Sequence, residues 1–185
     1  MVLRTEITEP QTLREEGLRH YRQGALDEAI ACFVEAHSLY IEKGDQHGAA
    51  EVLNNLGVIY YQQERWSEAA EALEEAHQAF IAMEDADGQA QTLGNLGSLY
   101  RASGQLEKAA QHFKDALTLF HRLGDSQAES VTWRALSTVR LRQRRWLEAI
   151  LAYDSSLTCL KRLSLGQRLL HLLLGLPLRL LSGAR

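Results

Sequence analysis

Side chains able to do chemistry are present in the 185-residue chain, but they are scattered. Seven histidines occur, and two of them, His37 and His77, stand forty residues apart. A metal site needs three or four converging donors, so the pair reads as one partly exposed helix position duplicated, not as ligands. Asp85-Ala86-Asp87-Gly88 opens like a calcium loop. The rest of the twelve-residue ligand pattern is missing, and the stretch reads as a helix cap. Cys32 and Cys159 are too few for a disulfide framework and fit a reducing compartment. Both fall on apolar helix faces, where packing is the expected role. No phosphate-cradling glycine loop, Gly-x-Ser-x-Gly elbow or His-Glu-x-x-His pair occurs. The expectation is a chain without catalytic residues, metal or cofactor.

The elements that would position any site follow from composition and repetition. Apolar residues make up 45% and charged residues 24%, ordinary globular usage that excludes collagen-like and disordered classes. Two prolines leave room for long helices. A forty-residue shift aligns the chain with itself: Ala29, Ala69, Ala109 and Ala149 fall in register. Phe33, Leu73, Phe113 and Tyr153 follow four residues later, then Ala36, Ala76, Ala116 and Ser156. Upstream, Leu56-Gly57-Val58-Ile59-Tyr60 is matched by Leu96-Gly97-Ser98-Leu99-Tyr100, and Gly17 and Ser137 share the glycine register.

Each copy reads as two antiparallel helices. Trp66, Ala69, Ala70, Leu73, Ala76, Phe80 and Ile81 form one apolar stripe at three-and-four spacing, and Val52, Leu53, Leu56, Ile59 and Tyr60 form its upstream partner. Breaks fall at Gly24, Glu64-Arg65, Gly104 and Arg144-Arg145 within copies, and at Gly44-Asp45, Glu84-Asp85 and Gly124-Asp125 between them. Asp45, Asp85 and Asp125 are placed to cap the next helix. A mid-helix glycine costs about 1 kcal/mol against alanine, so Gly57 and Gly97 imply close approach of two backbones, with Ala69 and Ala109 opposite.

Leu-Gly-x-x-Tyr followed by Glu-Ala-x-x-x-aromatic-x-x-Ala resembles the tetratricopeptide repeat, over about residues 11–163. The forty-residue period and the Asn54-Asn55-Leu56-Gly57 and Gly94-Asn95-Leu96-Gly97 stretches are similar to the long-repeat subgroup of kinesin light chains and LGN-type adaptors. The resemblance implies an all-α fold: a right-handed superhelix, or α-solenoid, of four helical hairpins at about 11–44, 45–84, 85–124 and 125–163. It also implies a protein–protein interaction scaffold that holds a peptide or protein segment in a concave groove lined by the first helix of each pair. The fourth copy departs most, with Ser137, Arg140 and Ser156 at the glycine, tyrosine and alanine positions.

By that resemblance the groove residues are Arg14 and Tyr21 from the first copy and Asn54, Asn55, Tyr61 and Gln62 from the second. The third offers Gln91, Asn95, Ser98 and Arg101, and the fourth Arg134 and Thr138. Asparagine suits the role because its amide pairs with both the N–H and the C=O of an extended peptide; the alternative is that Asn55 and Asn95 bridge neighbouring helices. The positions at which a chaperone-type carboxylate clamp would place lysine and asparagine hold Arg14, Leu18, Asn54 and Val58, so a clamp is not expected. Arg14, Arg101 and Arg134 could pair with acidic ligand side chains. Nucleic acid is disfavoured, since the basic residues lack interleaved exposed aromatics.

Charge runs unevenly. Residues 1–133 hold 10 basic and 22 acidic side chains, a net of -12, and residues 134–185 hold 10 and 2, a net of +8. The segment 164–185 crowds leucines onto one wide helical face beside basic residues, with Pro177 as a kink. It is expected as a C-terminal amphipathic helix that caps the solenoid, docks a partner or second copy, or lies in a membrane interface. The opening residues lack a signal-peptide pattern, and no apolar run is long enough to span a bilayer. A cytoplasmic location follows, with peripheral membrane attachment as the alternative.

Overall fold

The computed structural model describes residues 9–159; the helix expected over residues 164–185 lies outside the described residues. Among the described residues eight α-helices follow one another: α1 (Pro10–Gln23), α2 (Leu26–Glu42), α3 (Gln46–Gln62), α4 (Trp66–Ala82), α5 (Ala86–Ala102), α6 (Leu106–Leu123), α7 (Ser126–Arg142) and α8 (Trp146–Thr158). No strand occurs among the described residues. α1 packs on α2, α3 on α4 and α7 on α8, while α2 meets α3 and α6 meets α7. The fold class is therefore all-α, built from tandem helical hairpins. The chain divides into two compact units, one ending at Asn95 and one beginning at Leu96, within α5.

Every break has the same backbone solution. A left-handed residue recurs each twenty positions: Gly24 (φ 77°), Gly44 (72°), Glu64 (58°), Glu84 (56°), Gly104 (82°), Gly124 (72°) and Arg144 (60°). The amide after each one reaches back to the carbonyl five residues earlier: Ala25 N to His20 O at 3.0 Å, Arg65 N to Tyr60 O at 2.9 Å, Arg145 N to Arg140 O at 2.9 Å. This is the Schellman closure, which satisfies carbonyls the helix end would otherwise leave orphaned. Glycine reaches the left-handed region at no steric cost, whereas Glu64, Glu84 and Arg144 do not.

Helix starts alternate. The first helix of the second, third and fourth hairpins carries an aspartate cap: Asp45 Oδ1 accepts from Gly48 N at 2.9 Å, Asp85 Oδ1 from Asp87 N and Gly88 N at 3.1 Å each, and Asp125 Oδ1 from Gln127 N and Ala128 N. In the first hairpin α1 follows Glu9 without a side-chain cap. The second helices begin at Ala25, Arg65, Gln105 and Arg145 with no side-chain cap. Asp85-Ala86-Asp87-Gly88 is thus a cap, as its sequence implies.

The core of the first unit gathers Phe33, Tyr40, Val52, Leu56, Ile59 and Ala29, all buried. In the second unit Phe113, Ala116, Phe120, Leu136 and Val139 are buried. Ile81, expected in the apolar stripe of α4, is instead 44% exposed, because the stripe drifts off the packed face in the last turn. The mid-helix glycines meet side chains more closely than the opposite backbone. A methyl at Gly57 would lie 2.5 Å from Leu73 Cγ and 3.3 Å from Ala69 O, and one at Gly97 would lie 2.6 Å from Phe113. The glycine makes room chiefly for the large side chain four residues after the alanine. A second close approach was not anticipated: methyls at Gly48 and Gly88 would lie 2.4 Å from the rings of Tyr40 and Phe80. These two glycines seat α3 and α5 on the hairpin before each.

The fourth hairpin replaces the repeated contacts in kind. Lys108 sits over the Tyr100 ring at 5.0 Å in the third. Forty residues on, Arg140 is buried and its Nε lies 3.1 Å from Glu148. Ser130 Oγ donates to Ser156 O at 2.7 Å, tying α7 to α8.

Candidate functional site

The first unit holds a cavity of about 370 Å³. Its walls come from first helices: Arg14 and Leu18 on α1, His47, Glu51, Asn54 and Asn55 on α3, and Asp87, Gln91 and Thr92 on α5. Phe80 of α4 and the cap Asp85 complete it. The placement follows from helical spacing, since residues four apart share a face. On α3 the stripe is 47, 51, 55, and on α5 it is 87, 91, 95. A smaller space of about 40 Å³, lined by Leu18, Tyr21, Phe33, Asn55, Val58 and Ile59, also touches Asn55.

The polar groups are mostly engaged with one another. Arg14 forms an ion pair with Glu51. Asn95 Nδ2 donates to Asn54 Oδ1 at 2.9 Å, joining α5 to α3. His47 Nε2 lies 3.2 Å from Asp85 Oδ2, with its ring edge-on to Phe80 at 5.9 Å. Gln91 Nε2 donates to Asp87 Oδ2 at 2.6 Å. Gln62 Nε2 donates to the Tyr21 hydroxyl at 2.5 Å. Asn55 is half-buried and has no hydrogen-bond partner among the described residues. Its amide is open to the cavity's contents.

Of the residues expected from the sequence, Arg14, Asn54, Asn55 and Gln91 come together at the cavity, and Tyr21 lines the adjoining space. Asn95 is not open; it bridges α5 to α3 through Asn54. Tyr61 turns to the ring of Trp66, with centroids 6.1 Å apart. Ser98, Arg101, Arg134 and Thr138 belong to the second unit, where Arg134 and Thr138 are exposed along α7 and Arg142 Nη1 donates to Arg101 O at 2.5 Å. His47, Asp85 and Asp87 were missed. The signal was available: carrying the 51–55 and 91–95 stripes one turn back reaches 47 and 87.

Both cysteines are half-buried rather than enclosed. Burial pushes the thiols of Cys32 and Cys159 above their ordinary value, with Glu16 and Glu129 adding to the respective shifts. Among the described residues no group of three His, Cys, Asp or Glu is placed to hold a metal ion, and no helix is long and apolar enough to cross a membrane. What the cavity offers is hydrogen-bonding amides and carboxylates along parallel helical edges.

The profile described as tetratricopeptide repeat matches residues 10–82 and 87–162. No curated protein sequence matches the chain. Among solved structures it is similar to BtubC (BKLC) from P. vanneervenii, with a TM-score of 0.75 at 20% identity over 84% of this chain and 66% of that one. It is also similar to aspartyl phosphate phosphatase F from Bacillus subtilis, with a TM-score of 0.78 at 12% identity over 81% of this chain. The chain spans 39% of that second protein's length. At such identities the likeness is one of fold.

Proposed function

The chain belongs to the tetratricopeptide repeat family, and from that premise we propose that it is a non-catalytic adaptor whose first unit binds an extended peptide or protein segment against α1, α3 and α5. Repeats of this family are protein-interaction modules, and stacked helices bind along extended surfaces. The observation that carries the finer reading is Asn55. Its half-buried amide has no partner among the described residues and faces a cavity of about 370 Å³, where it can satisfy a peptide's N–H and C=O together. A cytoplasmic setting accords with two cysteines kept as thiols.

The test is a peptide-display selection on the immobilised protein, followed by fluorescence anisotropy on the recovered sequences. Asn55→Ala removes one or two hydrogen bonds of about 1 kcal/mol each, so affinity falls by about fivefold or more while melting stays unchanged. Recovered peptides that bind Asn55→Ala as tightly as the parent refute the reading.

A second role, attachment to a membrane or a second copy through residues 164–185, is favoured by the concentration of leucine and arginine in that segment. Vesicle co-sedimentation and light scattering of the full chain, against one truncated after residue 163, test it. Equal pelleting and equal size exclude it.

A further inference from the structure

We propose that the cavity of the first unit selects a basic segment, one that places a lysine or arginine side chain beside Asp85 and Asp87 while its backbone meets Asn55. The proposal rests on the groove reading above and names the chemistry of its ligand.

Three observations lead to it. The first is the charge of the compact unit that holds the cavity. Residues 1–95 carry 6 basic and 18 acidic side chains, a net of -12, whereas residues 96–185 carry 14 and 6, a net of +8. Residues 96–133 are balanced, with 4 basic and 4 acidic side chains, so the acidic excess lies in the unit that holds the cavity. The field over the first unit attracts cations and repels acidic segments.

The second is the balance inside the cavity. Arg14 and Glu51 are paired and cancel. His47 contacts Asp85 from one side. Asp87 meets a neutral donor, Gln91, and no cationic side chain among the described residues. Asp85 Oδ1 is engaged as the α5 cap by the amides of Asp87 and Gly88. The carboxylates of the lining, Glu51, Asp85 and Asp87, outnumber its one arginine, Arg14, by two, an excess that favours a ligand cation over a ligand carboxylate.

The third is the distribution of hydrogen-bonding groups. Asn55 presents an open amide, and the adjoining apolar space beside Leu18 and Val58 can take a small side chain. A cation at one end, a backbone contact at the middle and an apolar pocket at the other make a direction for the peptide. Two carboxylates alone would not fix one.

The experiment uses the full chain and two labelled decapeptides of matched length and apolar content, one with lysine and arginine at alternate positions and one with glutamate there. The basic probe is expected to bind at least tenfold more tightly by anisotropy, with affinity falling as salt rises. Asp87→Asn is expected to weaken it by about threefold to tenfold with unchanged melting. Glu71→Gln removes an exposed carboxylate from α4 outside the cavity and should leave affinity within about twofold. Equal losses from Asp87→Asn and Glu71→Gln would mean diffuse attraction to an acidic surface, and would overturn the proposal. Tight binding of the acidic probe would overturn it as well. If the basic probe fails while selection yields neutral or acidic peptides sensitive to Asn55→Ala, the groove reading survives and this inference falls. If no peptide responds to Asn55→Ala, both fall.

Discussion

Replacing Glu64, Glu84 and Arg144 by glycine should stabilise the protein, although the three positions are exposed and the substitution removes side chains. All three have φ between 56° and 60°, the left-handed region that Gly24, Gly44, Gly104 and Gly124 occupy at the equivalent breaks. A residue with Cβ loses about 1–2 kcal/mol there. Against that, glycine widens the unfolded ensemble at a cost of about 0.4–1 kcal/mol. Neither glutamate nor Arg144 makes a side-chain hydrogen bond or ion pair among the described residues, so no contact is lost. The net gain is about 0.5–1 kcal/mol per site. The three breaks share no partners, so the gains should add to roughly 2 kcal/mol. For a chain of this size that raises Tm by about 4–8 °C. Calorimetry on the three single variants and the triple variant, with Gly24→Ala and Gly124→Ala as opposite-sign controls, measures it. A triple variant that melts at or below the parent, while the glycine-to-alanine controls lose stability, would refute the reasoning, since one backbone geometry would then carry two different costs.

Other outcomes follow from contacts already described. Gly57→Ala and Gly88→Ala each drive a methyl into Leu73 or Phe80 and should cost about 1–3 kcal/mol, measured by urea denaturation. Ala69→Leu and Ala109→Leu, at fully buried positions, should destabilise far more than leucine at exposed Glu71 or Gln111; equal shifts would sink the register. Asn95→Ala should cost about 1 kcal/mol by breaking its bond to Asn54, while Asn55→Ala leaves melting unchanged. Cys32, Cys159 and Tyr40 all have pKa values raised by burial. Their contribution is full below the unfolded values, about 8.5 for thiol and 10 for tyrosine, and is lost as pH rises through the higher folded values. The urea midpoint should therefore fall between pH 8 and pH 11, by less in Cys32→Ala.

The hairpins, their breaks and the aspartate caps were legible because each is written in regular spacing: alanines at forty-residue intervals, and Asp45, Asp85 and Asp125 two or three positions after a helix end. The uniform left-handed joint was only half legible. Gly24 and Gly104 announce it, but Glu64 and Arg144 do not, since a backbone can force an L-residue into that region when a closure such as Arg65 N to Tyr60 O compels it. Gly48 and Gly88 lie within three residues of a cap and read as cap chemistry, which hides their contact with Tyr40 and Phe80. At the site, residue type identified Asn54, Asn55 and Asn95 as a set, but which amide is spent internally depends on a distance across two helices. That cannot be read from spacing along one.

The exchange of Lys108 over Tyr100 for Arg140 against Glu148 bears on how such a chain can be rearranged. The two positions lie on different helices of one hairpin, and each choice suits only its own mate. Grafting the α6 sequence onto α7 would set a lysine against buried Arg140, an uncompensated cation costing about 3 kcal/mol or more. Grafting α8 onto α5 would leave Glu148 facing the electron-rich face of Tyr100, a repulsive contact. Single helices are therefore not interchangeable parts even where their spacing is identical. The smallest piece that keeps these contacts when it is moved, duplicated or deleted is the matched pair.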